Sequence, residues 1–269
     1  MIDYRCKYST NKGDGLRFSE KSLLLQHEII KNSIIMQRFT KAIVAVMLMT
    51  AVSCIVGCTK PDEPNNVSGS LNGHDYVDLD LPSGTLWATC NVGANASEEY
   101  GDYFAWGETA TKTTYNWSTY KYCYNGDGNQ LTKYCNNSIY GYFGFTDTLV
   151  ILQPEDDAAT ANWGSGWCIP TVDQWRELRD NTTNIWTTRN GVNGRLFTAA
   201  NGNSLFLPAA GTFAGGTDNL VLAGNYWSNA LDTDYPICAW NFGFISDEYL
   251  VYGLGRLGDC SVRAVCSSR

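Results

Sequence analysis

Between Asp75 and Leu81 the chain reads Asp-Tyr-Val-Asp-Leu-Asp-Leu, so that Val77, Leu79 and Leu81 alternate against acids. A repeat of two residues puts the apolar set on one face of a strand and the carboxylates on the other. Such a strand needs a partner layer over its apolar face. Pro82-Ser83-Gly84 then turns the chain into a second apolar run, Thr85-Leu86-Trp87-Ala88-Thr89-Cys90. The folded part therefore begins with two strands.

One helix start is clear, in Gly166-Trp167-Cys168-Ile169-Pro170-Thr171-Val172-Asp173-Gln174-Trp175-Arg176-Glu177-Leu178. Thr171 caps the first turn, Gln174 three residues on reaches back to the cap N–H, and Asp173 suits the positive helix end. Val172, Trp175 and Leu178 then share a buried face. Residues 203–208, 224–229 and the tail from Ile237 look like further strands, with a Gly-rich loop at 211–216 between them. Residues 107–160, rich in Tyr, Asn and Gly and without periodicity, are expected to be long surface loops.

With 44% hydrophobic and only 17% charged residues, the chain is a globular one rich in loops and β-type residues. Residues 58–269 carry 11 basic and 23 acidic side chains. There is no basic stripe to meet a phosphate backbone, so nucleic acid is not an expected partner.

From Met36 the text is that of an exported protein. Arg38 and Lys41 form a basic region, Ala42 to Val56 an apolar one, and Ile55-Val56-Gly57-Cys58 a lipobox-like signal. The apolar run is short for a permanent membrane helix. Residues 36–57 are thus expected to be a lipoprotein signal peptide, with Cys58 as the lipidated residue and the membrane reached through its acyl chains. Cys54 is the weaker cleavage site. Residues 1–35 stand upstream of a complete signal and are expected to be a non-native extension. Residues 58–72 form a flexible tether, and residues 73–269 one domain. The Lys60-Pro61-Asp62-Glu63 start resembles export signals that carry lipoproteins of gut Bacteroidetes-type bacteria to the outer face of the outer membrane, which implies a lipid-anchored, cell-surface location.

Several stretches together, DYVDLDLPSGTLWATCNVGA (75–94), EEYGDYFAWGET (98–109), WGSGWCIPTVDQWREL (163–178), LPAAG (207–211), NYWSNA (225–230) and SVRAV (261–265), resemble the Fibrobacter succinogenes major paralogous domain. That family is similar to the C-type lectin and formylglycine-generating-enzyme fold. The resemblance implies an α+β domain of small antiparallel sheets, a few helices and long loops, with its first and last strands adjacent. It implies no single ligand.

A subset of such lipoproteins are variable proteins of diversity-generating retroelements, whose C-terminal segment resembles a template with mutagenised Asn positions. Against it this chain has Gly243, Ile245, Glu248, Leu250, Tyr252, Gly253, Leu254, Leu257, Gly258 and Cys260. Trp240, Phe242 and Phe244 should face the core, leaving Asn241, Gly243 and Ile245 on the opposite face. Beyond Asp247 the strand pattern dissolves, and Leu250, Tyr252, Leu254 and Leu257 would form an exposed sticky patch. The expected ligand-binding residues are Tyr235, Asn241, Gly243, Ile245, Glu248, Leu250, Tyr252, Leu254, Leu257 and Cys260, facing an unknown protein or glycan. The alternative is that these residues are core, in a structural or adhesin component with no ligand site there.

Catalysis is not expected. Past the N-terminal segment His74 is the only histidine, which leaves no His-based triad or multi-His metal site. A formylglycine-generating oxidase would need reactive thiols, and Cys260 with Cys266 is the only pair near the right end. Gln153-Pro154-Glu155 superficially resembles a calcium-lectin tripeptide but precedes the Thr171 helix; with Asp156 and Asp157 it reads as a solvated turn. No cofactor or metal is expected. Three disulfides are candidates: Cys123 with Cys135 across a Gly-rich loop, Cys238 with Cys260 across the variable segment, and Cys90 with Cys266 on the adjacent first and last strands that the resemblance implies.

Overall fold

The computed structural model describes residues 67–211 and 222–267. The signal segment, Cys58, the start of the tether and most of the Gly-rich loop lie outside the described residues. The elements are β1 (Gly69–Leu71), β2 (His74–Asp78), β3 (Thr85–Ala88), β4 (Tyr103–Phe104), α1 (Ala158–Trp163), α2 (Val172–Asp180), β5 (Thr183–Arg189), β6 (Val192–Thr198), β7 (Ser204–Pro208), β8 (Gly224–Leu231), β9 (Cys238–Phe244), β10 (Tyr249–Gly255), β11 (Cys260–Ser261) and β12 (Val265–Ser267).

They make an α+β fold of three small sheets. The first runs β1-β2-β3-β12, the second β10-β9-β8-β11-β4 and the third β5-β6-β7. Pairing is antiparallel except between β8 and β11. β12 lies beside β3, with Val265 opposite Trp87, so the N-terminal strands β1 to β3 and the last strand share one sheet, although the first strand itself stands at the far edge from β12.

Two apolar cores share these strands. Val77, Trp87, Tyr226, Phe242, Phe244 and Val265 face one of them, with Trp175 and Leu178 of α2. Their sequence neighbours Leu86, Ala88, Trp227, Ala264 and Cys266 face the other. Alternation thus divides side chains between two interiors, and strands covered on both faces lose the polar half of the pattern.

Indole N–H groups tie the layers together. Trp106 Nε1 donates to the Ser228 carbonyl at 2.8 Å, Trp227 Nε1 to that of Phe104 at 2.7 Å, and Trp167 Nε1 to that of Leu71 at 3.0 Å. Trp175 stacks on Phe242 with ring centroids 4.8 Å apart. Its helix carries the expected capping box, Thr171 Oγ1 accepting from Gln174 N and Thr171 N donating to Gln174 Oε1. Trp175 and Leu178 are buried, while Val172 is half-buried.

Four expectations change. β2 ends at Asp78 and β3 at Ala88, although Leu79 and Leu81 stay buried beyond the strand. The 107–160 stretch is irregular but not superficial: Tyr115, Tyr120, Tyr122, Leu131, Tyr134 and Cys135 are buried. The β5–β6 hairpin was not foreseen. It turns through Asn190-Gly191, both at positive φ, the two-residue turn that matches strand twist. Finally, residues 249–255 form a regular strand in full register with β9, where the sequence shows no strand pattern.

Candidate functional site

β10 is one of the two edge strands of the five-stranded sheet. Tyr249 and Val251 pack against the core under Phe242 and Phe244. Leu250, Tyr252 and Leu254 alternate with them on the opposite face and, like them, are half-buried. Leu250 stands opposite Gly243, Tyr252 opposite Asn241 and Leu254 opposite Ala239.

The small size of Gly243 shapes this face. A Cβ there would sit 2.5 Å from the Tyr252 ring, so the ring lies flat across β9 and its hydroxyl donates to Asn225 Oδ1 on β8 at 2.7 Å. Leu254 also touches the second core. The face is therefore a shallow apolar step with one ordered phenol and one amide.

The hairpin tip, Ile245 to Glu248, closes with Ile245 N donating to the Glu248 carbonyl at 2.8 Å. Arg195 on β6 holds it. Its Nη2 donates to the carbonyls of Ile245 at 2.7 Å and Ser246 at 2.9 Å, its Nη1 to Asn184 Oδ1 at 2.5 Å, and its guanidinium lies 4.8 Å from the Tyr249 ring centroid. Burial draws the Arg195 pKa down. Ile245 is half-buried and Glu248 exposed at this tip.

The other end of β10 is held by Arg256, wholly buried. It donates to Tyr120 Oη at 2.6 Å and to the carbonyls of Tyr134, Pro236 and Lys133 at 2.8, 3.1 and 3.0 Å, and it lies over the Trp106 and Tyr120 rings. Each of its nitrogens is engaged, so Arg256 fastens the 120–136 segment to the sheet and leaves nothing for a ligand.

Not every expected contact residue reaches the surface. Asn241, Gly243, Leu257 and Cys260 are buried. Asn241 Nδ2 points at the Cys260 sulfur, 3.5 Å away, because β9 is covered on both faces. Of the expected set, Ile245, Glu248, Leu250, Tyr252 and Leu254 line the hairpin, and half-buried Tyr235 lies before β9. Asn225 was missed; its place in the β8 run Asn225-Tyr226-Trp227, with Tyr226 and Trp227 buried on opposite sides, was the available signal. Trp240 is half-exposed, not core like Phe242 and Phe244.

None of the three expected disulfides forms. Cys90, Cys123, Cys135, Cys260 and Cys266 carry free thiols, as does Cys168. Cys123 Sγ donates to the Asp127 carbonyl and Cys135 Sγ to that of Asn137, each turned into its own local bend. Burial pushes the Cys260 thiol well up, Cys266 to about 11 and Cys168 to about 12.

Comparison with protein families, with curated proteins and with solved structures found no match.

In the acidic turn before α1, Pro154 and Glu155 are exposed, as expected, but Asp156 and Asp157 are buried. Asp157 caps α1, accepting from Thr160 N at 2.9 Å and Ile169 N at 2.8 Å. Asp156 is 1% exposed. It accepts from Tyr122 Oη, Tyr134 Oη at 2.8 Å, Lys121 Nζ at 3.0 Å and Lys133 Nζ at 2.5 Å. Burial would raise its pKa; these donors outweigh that and hold it at about 2. A carboxylate so fully engaged is structural. His74 stacks on Trp163 at 4.0 Å. Among the described residues no group of three or more His, Cys, Asp or Glu is placed to hold a metal ion, and no helix is long and apolar enough to cross a membrane.

Proposed function

We propose that the protein is a surface-anchored lipoprotein whose C-type-lectin-like domain displays a ligand-binding face on the β9–β10 hairpin. The observation that carries this is the half-buried row Leu250, Tyr252 and Leu254 on an edge strand, beside the ordered Tyr252–Asn225 pair. A phenol held in place offers contact area and a hydroxyl at low entropic cost. Ile245 and Glu248 extend the face to the hairpin tip, and Tyr235 borders it. The lipid anchor at Cys58 and an outer-membrane location complete the reading and rest on the signal text alone. The ligand is a protein or glycan, and the residues that vary against the retroelement-type template supply its specificity.

A second reading, a structural or adhesin component, draws on the burial of Asn241, Gly243, Leu257 and Cys260. An oxidase of the formylglycine-generating kind is disfavoured, because burial keeps the Cys260 and Cys266 thiols protonated at neutral pH.

Replacing Leu250, Tyr252 and Leu254 by Ser separates the readings. Screening wild type against glycan and protein arrays comes first. Loss of the captured ligand with the thermal midpoint of Leu250→Ser and Tyr252→Ser nearly unchanged supports the site; a large loss of stability in both assigns them to the core.

A further inference from the structure

Among the described residues, large exposed aromatic side chains lie elsewhere. Phe143 is 89% exposed and Tyr124 45%, and both pack on half-buried Tyr142, with ring centroids 4.4 and 4.2 Å from it. From these rings we infer a second binding site, a ledge that stacks the sugar rings of a neutral oligosaccharide.

The ledge is built, not frayed. Tyr142 N donates to the carbonyl of buried Leu131 at 2.9 Å, and Leu131 N to that of Tyr140 at 2.8 Å. Gly144 N and Phe145 N close the turn on Gly141 and Tyr142. Phe143 sits at φ 47 and ψ 37, a left-handed conformation that a bulky residue seldom adopts. A Cβ on Gly141 would collide with the Phe145 carbonyl, so only glycine permits the turn that lifts Phe143 into solvent.

Charge and ring chemistry select the ligand. Lys133 is committed to Asp156 and Glu155, and Asp127 Oδ1 accepts from Asn129 N. The exposed side chains of Asn125, Asn129 and Ser138 in the flanking turns are neutral, and exposed Asp127 between them is negative. An anionic ligand would find no uncommitted cation among these residues. A protein partner needs about 800 Å² on each side; the three aromatic side chains supply about 150–250 Å² each when wholly covered, and exposed Ile139 and Phe145 of the same segment add to them. A pyranose, with C–H groups on one face and hydroxyls at its rim, fits aromatic faces flanked by amides and a hydroxyl.

The test uses the full chain in detergent micelles and calorimetric titration with cellohexaose, xylohexaose, mannohexaose, maltohexaose and, as the anionic probe, oligogalacturonate. Binding of at least one neutral hexaose is expected, falling about tenfold or more in Phe143→Ala and in Tyr124→Ala. Tyr252→Ser should leave it unchanged, which separates this ledge from the hairpin face. The near-complete exposure of Phe143 predicts an unaltered thermal midpoint for Phe143→Ala, and a tyrosine-region spectrum checks that Tyr124 and Tyr142 remain packed. The proposal is overturned if no neutral hexaose binds, if oligogalacturonate alone binds, if both alanine variants bind like wild type, or if the ledge substitutions abolish capture of a protein instead.

Discussion

The Tyr252 hydroxyl donates to Asn225 Oδ1 at 2.7 Å, spanning the middle strand of three where Gly243 leaves the way clear. This couples a residue of the edge strand to one two strands away, and it makes the position of the phenol depend on a residue that carries no side chain.

Gly243→Ala is therefore expected to displace the Tyr252 ring and break its bond to Asn225, at a cost of about 1–3 kcal/mol. Urea unfolding measures the loss. A Tyr252→Ala background should recover most of it, since the clash is removed; equal destabilisation in both backgrounds would place the strain elsewhere.

Asp156 should govern part of the acid stability. Its folded pKa of about 2 lies below the ordinary 3.8, so its contribution, about 2 kcal/mol, is complete above about pH 4 and is lost as pH falls through about 2. Asp156→Asn should consequently lower the denaturation midpoint at pH 7 and make little difference at pH 2. A mutational gap that persists unchanged at low pH would count against the assignment.

Arg256→Met keeps the bulk of the stem but leaves the carbonyls of Lys133, Tyr134 and Pro236 without their donor. A loss of at least about 3 kcal/mol is expected, with protease cleavage appearing first in the 120–136 segment as it detaches from the sheet. Uniform susceptibility along the chain would contradict this.

The thiols should be ranked by access. Cys90 and Cys123 are half-buried, whereas Cys135 and Cys260 are buried. Iodoacetamide at mildly alkaline pH is expected to label Cys123 and Cys90 in the native protein, and Cys135 and Cys260 only after denaturation. Peptide mass spectrometry reads the order, and native labelling of Cys260 would be inconsistent with its place under Asn241.

The elements that local chemistry determines could be read from the text. The Thr171 capping box, the Pro82-Ser83-Gly84 turn and the alternation through Val77, Leu79 and Leu81 all have short-range causes, and each is present. Tertiary burial was harder to see. Tyr120, Tyr122 and Tyr134 sit in a stretch without periodicity, yet they are interior because Arg256 and Asp156, distant in sequence, satisfy their hydroxyls or carbonyls. The same reason hid β10: Tyr249 and Val251 face one core while Leu250 and Tyr252 lie on the other side and Leu254 packs on the second core, so apolar residues on both sides of the strand masked its period. At the candidate face, Leu250 and Tyr252, expected to be exposed, are half-buried. Asn241 and Cys260 were not legible as interior, since nothing local announces that β9 is covered twice.

Arg195 takes hold of the carbonyls of Ile245 and Ser246, Arg256 those of Lys133, Tyr134 and Pro236, and Arg263 those of Ala88 and Thr89. Main-chain oxygens are the same whatever residue bears them. A fastening of this sort is blind to the side chain at the fastened position, so the Ile245–Ser246 tip can change its chemistry while Arg195 keeps its grip, and novelty at the rim need not loosen the frame.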